Sequence, residues 1–371
     1  MTVIVPGGST LTVTNANGLA ITSDSTINAG GLLDGEGNVT GGFALLNAGT
    51  ISSDQPAGVL TINTGTLNNQ GTIFANGASM AILASVPLAN LSLGTLTGGV
   101  WEAGGAGTLA VLSGLITTDD AVITLNGTAS ALRSGNATAQ TIDNSLTTVG
   151  TGGVLNILGG RNFTAASSLI VNGTLSLGGG TLAAPTNGLT IGAVGDIAGF
   201  GIIDPGTALV DGGTIEAKGG TLTLPQAGNI SGTGTLQADA GASLVLQDLS
   251  GGYGQSIVNN GTIVDSAFPF FSTDLQITGN YTGTGGFLIQ GGSDSSSKTI
   301  LDLPSGVSAN VAFDSNFGEL LLENAATFNG ALSAFSNNDS LVMSTVANAA
   351  TATLTGNNLN LTNAWALWCR P

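Results

Sequence analysis

A short triplet, Gly-Thr followed by Ile or Leu, recurs along this chain of 371 residues and constrains its fold more than any other feature. Several intervals between neighbouring triplets are 6, 7, 13, 14 or 27 residues, close to multiples of seven, whereas those of 16, 23, 33 and 66 fit less well. The stretch from Asp211 to Leu224 holds two of the triplets, seven positions apart. The glycines of the triplets are Gly49, Gly65, Gly71, Gly94, Gly107, Gly173, Gly180, Gly213, Gly220, Gly234 and Gly261.

The triplet has a direct structural interpretation. Thr and Ile or Leu favour a half-buried strand, and the glycine before them permits a bend. Three such strand-and-bend units make a coil of roughly 20–22 residues, the size of one solenoid turn. The pattern therefore predicts an all-β chain that folds as a right-handed parallel β-helix, or β-solenoid, of roughly 16–18 coils.

Composition changes along the chain. Residues 1–263 read as regular β-helix coils, whereas eight of the twelve phenylalanines lie at Phe268 or later. We therefore expect residues 264–371 to be a continuation of the β-helix with Phe-rich wider coils, or else a small capping region. The segment GGSDSSSK, from Gly291 to Lys298, predicts a protruding loop. Pro87 predicts a loop or a coil corner within an otherwise apolar stretch, for which a helix over 80–89 is the alternative.

The charge balance limits the kinds of partner that the chain can bind. The formal net charge is −17, and the five basic residues are Arg133, Arg161, Lys218, Lys298 and Arg370. Nucleic-acid binding needs a basic footprint and is excluded, and the same deficit disfavours anionic membrane surfaces and direct membrane insertion. The scattered acidic residues indicate solubility. No cofactor is expected, although weak Ca²⁺ binding between coils is a second interpretation of the acidic residues.

The remaining sequence signals concern the compartment. Cys369 is the only cysteine, so an intrachain disulfide is not available. The chain opens MTVIVPGG, which is not a conventional signal peptide, and no run of about 18 apolar residues predicts a membrane-spanning helix. These features fit a secreted or bacterial cell-surface protein that uses its strand ladder in place of disulfides.

Catalytic patterns are weak. The chain has no histidine, so the usual nucleophilic triads are not available, and zinc sites are not expected with a single cysteine. The adjacent pair Asp119 and Asp120 could serve glycoside hydrolysis, which needs two carboxylates, but its context predicts a polar turn between strands. A cleft with such carboxylates beside Arg133 or Arg161 would favour an enzyme. We predict no catalytic, cofactor-binding or metal-binding residue and no enzymatic activity.

Three surface patterns have structural explanations. Eleven Asn-X-Ser/Thr sequons occur, for example at Asn126, Asn172 and Asn260, but they follow from an Asn- and Thr-rich composition. Alternating threonines, such as Thr10, Thr12 and Thr14 or Thr221 and Thr223, would share an outward face, where an ice-binding array is the functional alternative. Trp101 is expected to stack on a flat face.

The N-x-G-T-I/L coils, the segment LTGGVWEAGGAGTL from Leu96 to Leu109 and the segment from Glu319 to Met343 carry a resemblance. In the last segment an apolar strand is followed by Phe328, Gly330, Leu332 and Phe335, then a polar turn at Asn337–Asp339 and a strand from Leu341. With these features the chain resembles β-strand-repeat surface proteins of Gram-negative bacteria, namely autotransporter passengers and filamentous-haemagglutinin-like adhesins. The resemblance implies a β-helix and an exported protein.

Together these observations predict an extracellular or cell-surface β-helical stalk or adhesin segment that mediates attachment without catalysis. Its partners would be host-cell, matrix or surface glycans or proteins. A self-assembling surface-layer or filament component, joined through the coil ends, is the alternative. A polysaccharide-active lyase or hydrolase is the less favoured third.

Overall fold

A computed structural model describes the chain except for residues 15–17, 57, 84, 137–138, 226–229, 248–249, 254–255, 267–272, 278, 292–297, 305, 308, 315, 325–327, 337, 344–350, 356–357 and 363–371. The chain divides into two compact units, unit 1 (Met1–Ile215) and unit 2 (Glu216–Pro371). The described residues form about 14 stacked parallel coils, so the predicted all-β solenoid is confirmed with fewer coils than expected.

In unit 1 the early coils each cross three parallel sheets in the same order. The first sheet contains, in spatial order, β1 (Ile4–Val5), β4 (Ser25–Ile27), β7 (Ala44–Asn47) and β10 (Thr66–Asn69). The third contains β3 (Leu19–Ala20), β6 (Gly37–Thr40), β9 (Val59–Asn63), β12 (Ser79–Ile82), β15 (Thr108–Val111), β17 (Ala131–Ser134) and the antiparallel edge strand β18 (Gln140–Thr141). A single 3₁₀ turn, Ile142–Asn144, follows β18.

The second sheet of unit 1 runs through every coil and several of its strands continue around a bend. Its strands are β2 (Thr10–Val13), β5 (Leu32–Gly35), β8 (Thr50–Ser53), β11 (Thr72–Asn76), β13 (Leu91–Ser92), β14 (Thr95–Gly104), β16 (Thr118–Asn126), β19 (Thr148–Val149), β20 (Val154–Leu158), β21 (Phe163–Thr164), β22 (Leu169–Val171), β23 (Thr174–Ala183), β24 (Leu189–Ile191), β25 (Asp196–Asp204) and β26 (Leu209–Asp211).

Strand register gives the coil length directly. Thr10 pairs with Leu32, and Thr50 pairs with Thr72, in each case 22 positions later. Other coils are longer, because Thr72 pairs with Val100 and Val122 with Val154. These long coils explain why the solenoid has fewer turns than a uniform coil of roughly 20–22 residues would give.

The core consists of stacked apolar columns. Ile51, Ile73, Trp101, Ile123 and Leu155 occupy successive coils at one register position, and all are fully buried. Strand residues alternate between this interior and the outer face, as the two-residue period of a strand requires. Burial of each such side chain contributes about 1.5–3 kcal/mol to folding.

Coil stacking explains why glycine precedes the Thr-Ile/Leu pair. A Cβ added to Gly71 would lie 2.1 Å from the carbonyl oxygen of Gly49 in the preceding coil, and one added to Gly213 would lie 2.1 Å from that of Gly195. Neither Gly71 nor Gly213 has a positive φ. At Gly71 and Gly213 the glycine is therefore needed for close backbone approach between coils, rather than for the bend that the sequence suggested, whereas Gly94 has a positive φ and lies in a turn.

Unit 2 is built in the same way. One set of its strands comprises β27 (Thr214–Leu224, which begins at the end of unit 1), β28 (Ile230–Ser231), β29 (Thr235–Ala238), β30 (Ser243–Gln247), β32 (Ser256–Asn259), β33 (Thr262–Ser266), β35 (Tyr281–Thr282), β36 (Gly286–Gln290), β38 (Asn310–Asp314) and β40 (Leu332–Ser333). A five-stranded parallel sheet comprises β31 (Ser250–Tyr253), β34 (Thr273–Ile277), β37 (Thr299–Leu303), β39 (Gly318–Leu322) and β41 (Ser340–Met343).

Near the end of the described chain, β42 (Thr351–Thr355) pairs with β43 (Asn358–Thr362) in an antiparallel hairpin. The polar turn predicted at Asn337–Asp339 is present at its described residues, where the Asp339 carboxylate accepts the backbone N–H groups of Ser336 and Gly318. Asn337, Cys369, Arg370, Phe268, Phe270, Phe271 and most of the predicted loop Gly291–Lys298 lie outside the described residues.

One expectation for unit 1 needs correction. The alternative helix over 80–89 does not form, because Ser79–Ile82 is a strand that pairs with β9 and β15. Trp101, which was expected to stack on a flat face, lies in the core column between Ile73 and Ile123. Its side chain is fully buried, because the alternation of β14 turns it inward.

Candidate functional site

A β-hairpin departs from the solenoid of unit 1 after the fourth coil. Leu91 pairs antiparallel with Leu96 and Ser92 with Thr95, so Leu93 and Gly94 form a two-residue turn. Both turn residues have positive φ, 50° at Leu93 and 85° at Gly94. Two positive φ values are the signature of a type I′ hairpin turn, in which Asn-Gly is the favoured pair.

Leu93 is the most exposed large apolar residue of the described chain, with its full surface open to solvent (102%). Leu115 lies next to the turn, since a Cβ on Gly94 would be 3.7 Å from its carbonyl oxygen, and is also exposed (40%). A leucine with positive φ costs roughly 1–2 kcal/mol, and its exposure returns no burial energy. This combination at one position marks the hairpin tip as a candidate contact surface.

The base of the hairpin is held by buried asparagines. Asn47, Asn69 and Asn90 lie on successive coils at the bend between the first and second sheets. The Asn47 amide donates to Asn69 Oδ1 (2.8 Å), and Asn90 exchanges two hydrogen bonds with the Asn69 backbone. Asn90 Nδ2 also donates to the Thr97 carbonyl at 2.6 Å. The amide ladder therefore fixes where the hairpin leaves the coil.

The other side of the hairpin docks on the next coil. The Gly94 carbonyl accepts the backbone N–H groups of Thr117 (2.8 Å) and Thr118 (3.0 Å). The Leu91 side chain covers Gly114, where a Cβ would come within 2.8 Å of Leu91 Cδ2. The exposed leucine is thus carried on a supported element, and not on a free loop. The hairpin was not predicted from the sequence because Leu-Gly is not a recognised pair for a type I′ turn.

The strain at this tip gives a testable prediction. Leu93→Asn is expected to raise the free energy of unfolding by about 1 kcal/mol, because asparagine tolerates a positive φ and no buried contact is lost. Urea or thermal unfolding would measure the change. Leu115→Asn is the matched control, since Leu115 is exposed without a positive φ, and should change stability little. A loss of stability in Leu93→Asn would show that the leucine supports the fold.

The two residues of the acidic pair considered for catalysis point in opposite directions from β16. Asp119 points into the core and is fully buried, whereas Asp120 points outward and accepts the Gly152 N–H. The expected polar turn between strands is therefore wrong, because both residues lie within a strand that bends at this point. Burial raises the pKa of Asp119 to about 7, the Ala121 N–H opposes this shift, and the Asp120 charge adds to it.

The two arginines named with the catalytic hypothesis are used within the chain. Arg161 is buried and forms an ion pair with Asp143, in which its Nη2 donates to both carboxylate oxygens (2.8 and 3.0 Å), while its Nε donates to the Ser130 carbonyl. Arg133 is exposed and donates to the Ala139 carbonyl at 3.1 Å. Among the described residues, no hydrogen bond or ion pair joins either arginine to Asp119 or Asp120.

Unit 2 carries an acidic outer face on its five-stranded sheet. Asp274, Asp302, Glu319 and Glu323 influence one another there, with Lys298 bound to Glu319 at 2.9 Å. Burial, reinforced by neighbouring acidic groups, raises the pKa values of Asp274 and Asp302 above their usual range.

Glu319 behaves differently. Burial alone would raise its pKa, but hydrogen bonds from Ser340 and Lys298 and the lysine charge hold that pKa below its usual value.

A second acidic pair, Glu216 and Asp239, is bridged by the side-chain amide of Gln237 at 2.6 and 2.9 Å. Within the described residues, no three carboxylates converge as metal ligands would. Weak Ca²⁺ binding therefore stays a prediction.

The remaining surface patterns are distributed along the chain. Asn126 is the last residue of β16, and Asn172 and Asn260 lie at the bends that follow β22 and β32. Thr10 and Thr12 face outward from β2, at positions that pair with Leu32 and Asp34 of the next coil, so the threonine array does not continue. No helix in the described part of the chain is long and apolar enough to cross a membrane.

The chain was compared with known proteins. No family model matches it, and no curated protein matches it. One solved structure to which it is similar is the crystal structure of a TibC-catalyzed, hyper-glycosylated TibA55-350 fragment. That similarity has 14% sequence identity, covers 92% of this chain and 91% of that one, and has a TM-score of 0.23. The solenoid fold itself follows from the strand pairing and burial described above.

Proposed function

We propose that this protein is a β-helical stalk or adhesin segment on the outside of a bacterial cell, and that it mediates attachment through its outer surface without catalysis. The observation that carries the proposal is the supported hairpin of unit 1. It presents Leu93 fully exposed at a strained turn, at a cost to the fold of roughly 1–2 kcal/mol.

Three further features support it. Parallel coils that pack only on their neighbours give a stiff scaffold, and loops positioned by a rigid scaffold are usual places for binding. One outward column of the second sheet in unit 1 is uncharged over successive coils, at Thr50, Thr72, Val100 and Val122. The net charge of −17 keeps such a chain soluble and disfavours anionic partners.

Attachment can be tested with beads. Fluorescent beads coated with the full chain would be washed under flow over epithelial monolayers, matrix proteins and immobilised glycans, beside beads coated with Leu93→Asn and with Leu115→Asn. We expect retention of beads that carry the unmodified chain on at least one surface, with a several-fold loss for Leu93→Asn. Retention no greater than that of albumin-coated beads on every surface would overturn the proposal.

A further inference from the structure

Two buried aspartates occupy one inward column of unit 1, at a bend of the second sheet in the coils beyond β10. This corner column runs through Asp119, Val149, Val171, Ile191 and Asp211, each paired with the next. All five side chains have at most 1% of their surface exposed. The column thus places two ionisable groups where its other members are apolar.

Only one of the two carboxylate oxygens of Asp119 has a hydrogen-bond partner. Oδ1 accepts the backbone N–H of Ala121 at 2.9 Å, whereas Oδ2 is buried without a hydrogen-bond partner. The neighbouring rungs of the column are Leu96 on one side and Val149 on the other. The charged group that acts on it is Asp120, which has the same sign. An ionised carboxylate is therefore poorly stabilised at this position.

Asp211 repeats the arrangement. Its Oδ1 accepts the Gly213 N–H at 3.1 Å, its Oδ2 is buried without a partner, and the adjoining rung is Ile191. Burial raises the pKa of Asp211 to about 6, opposed by the Gly213 N–H, with no charged neighbour contributing. Asn47 and Asn69, at the same bend in earlier coils, show that a neutral amide fits it fully buried.

We propose that Asp119 and Asp211 form a pH-sensitive lock on the bends of unit 1, closed when both carboxyls are protonated in mildly acidic surroundings and loosened when they ionise. A protonated carboxyl keeps its hydrogen bond to the bend while placing no charge in the apolar column. An ionised one requires water, which reaches it only if the bend opens.

The direction of the effect follows from proton linkage. Asp119 titrates near 3.8 when unfolded and near 7 when folded, so the folded state holds a proton that the unfolded state has lost between these values. The stabilisation is complete below 3.8 and is lost as the pH rises to about 7 for Asp119 and to about 6 for Asp211. Each carboxyl changes the unfolding equilibrium by about tenfold per pH unit inside its window.

The test uses the full chain and asparagine variants. Asp119→Asn and Asp211→Asn keep an oxygen for the Ala121 or Gly213 N–H but remove the titration. Amide hydrogen exchange would be followed from about pH 5 to pH 8.5, with rates corrected for intrinsic base catalysis. The amides are those of Ala121, Gly213 and Gly150, which donates to the Asp119 carbonyl. Asp54→Asn makes the same charge change at an exposed site and is the matched control.

In the unmodified chain and in Asp54→Asn, we expect protection to fall by about tenfold per pH unit, up to about pH 7 at Ala121 and Gly150 and up to about pH 6 at Gly213. In each asparagine variant, protection from exchange at the substituted bend should no longer depend on pH. Above pH 7 that bend should be better protected than in the unmodified chain. Parallel profiles in all four proteins would overturn the proposal. If a variant fails to fold, infrared spectra of the unmodified chain decide the question: a protonated carboxyl stretch at pH 5 that disappears by pH 8 supports the lock, and its absence at pH 5 refutes it.

Discussion

Replacing Trp101 by alanine is expected to destabilise unit 1 by about 3–5 kcal/mol, the range for truncating a buried aromatic side chain. Trp101 is fully buried and stacks between Ile73 and Ile123 of the adjacent coils. Its indole N–H donates to the Gly98 carbonyl at 2.9 Å. Gly98 and Gly99 lie at the bend of β14, where the register of its pairing with β16 shifts. Alanine would leave a cavity in the column, and the Gly98 carbonyl would keep only the long hydrogen bond from Asn90 Nδ2 (3.5 Å).

Urea unfolding monitored by far-ultraviolet circular dichroism would measure the loss. The matched control is Val100→Ala, one position earlier on the same strand, where the side chain faces outward and truncation should cost much less. Trp101→Phe should fall between the two, because it keeps most of the volume but not the N–H donor. Equal effects of Trp101→Ala and Val100→Ala would contradict the inward orientation of Trp101.

The second large effect concerns the buried ion pair of unit 1. Arg161→Met is expected to destabilise the fold by about 3–5 kcal/mol, because removing one partner leaves the other charge buried and uncompensated. Only 14% of the Asp143 side chain is exposed. The arginine also donates from Nε to the Ser130 carbonyl, which would lose its partner. The pair joins the 3₁₀ turn at Ile142–Asn144 to the segment that follows β20.

A double variant distinguishes an ion pair from simple packing. Arg161→Met combined with Asp143→Leu should recover much of the loss, since an apolar pair avoids the cost of burying charge. Chemical unfolding of both single variants and of the double variant gives the coupling energy. Strictly additive losses would show that the two side chains act independently, which the direct contact of Arg161 Nη2 with both oxygens of Asp143 does not predict.

The regular part of the fold was predictable because its physics is local. A Gly-Thr-Ile/Leu unit specifies an outward residue followed by an inward one, and repetition then specifies stacking. The reason for the glycine was not visible in the sequence. The carbonyl that excludes a Cβ at Gly71 belongs to Gly49, 22 positions earlier, so the constraint exists only once the coils are stacked.

The candidate site was harder to predict for the same reason. Leu93 looks like any other leucine in an apolar stretch, and only the antiparallel pairing of Leu91 with Leu96 places it at the tip. Asp119 and Asp120 look equivalent as neighbours, yet the two-residue period of a strand turns one inward and the other outward. The inward orientation of Trp101 was not predictable because it depends on the phase of β14 after a double glycine, which periodicity alone does not determine.

The central claim, in-register stacking of the coils in unit 1, is most directly tested by pulsed electron spin resonance between paired labels. Thr50, Thr72, Val100, Val122, Val154 and Thr174 form one outward column, each residue paired with the next. Labels would be placed on Thr50 together with Val122, Val154 or Thr174, with Cys369 replaced by serine. The solenoid predicts distances that increase by about 4.8 Å per coil across the series, to about 24 Å between positions 50 and 174. Distances that do not increase in equal steps, or that exceed this span severalfold, would contradict the stacked solenoid.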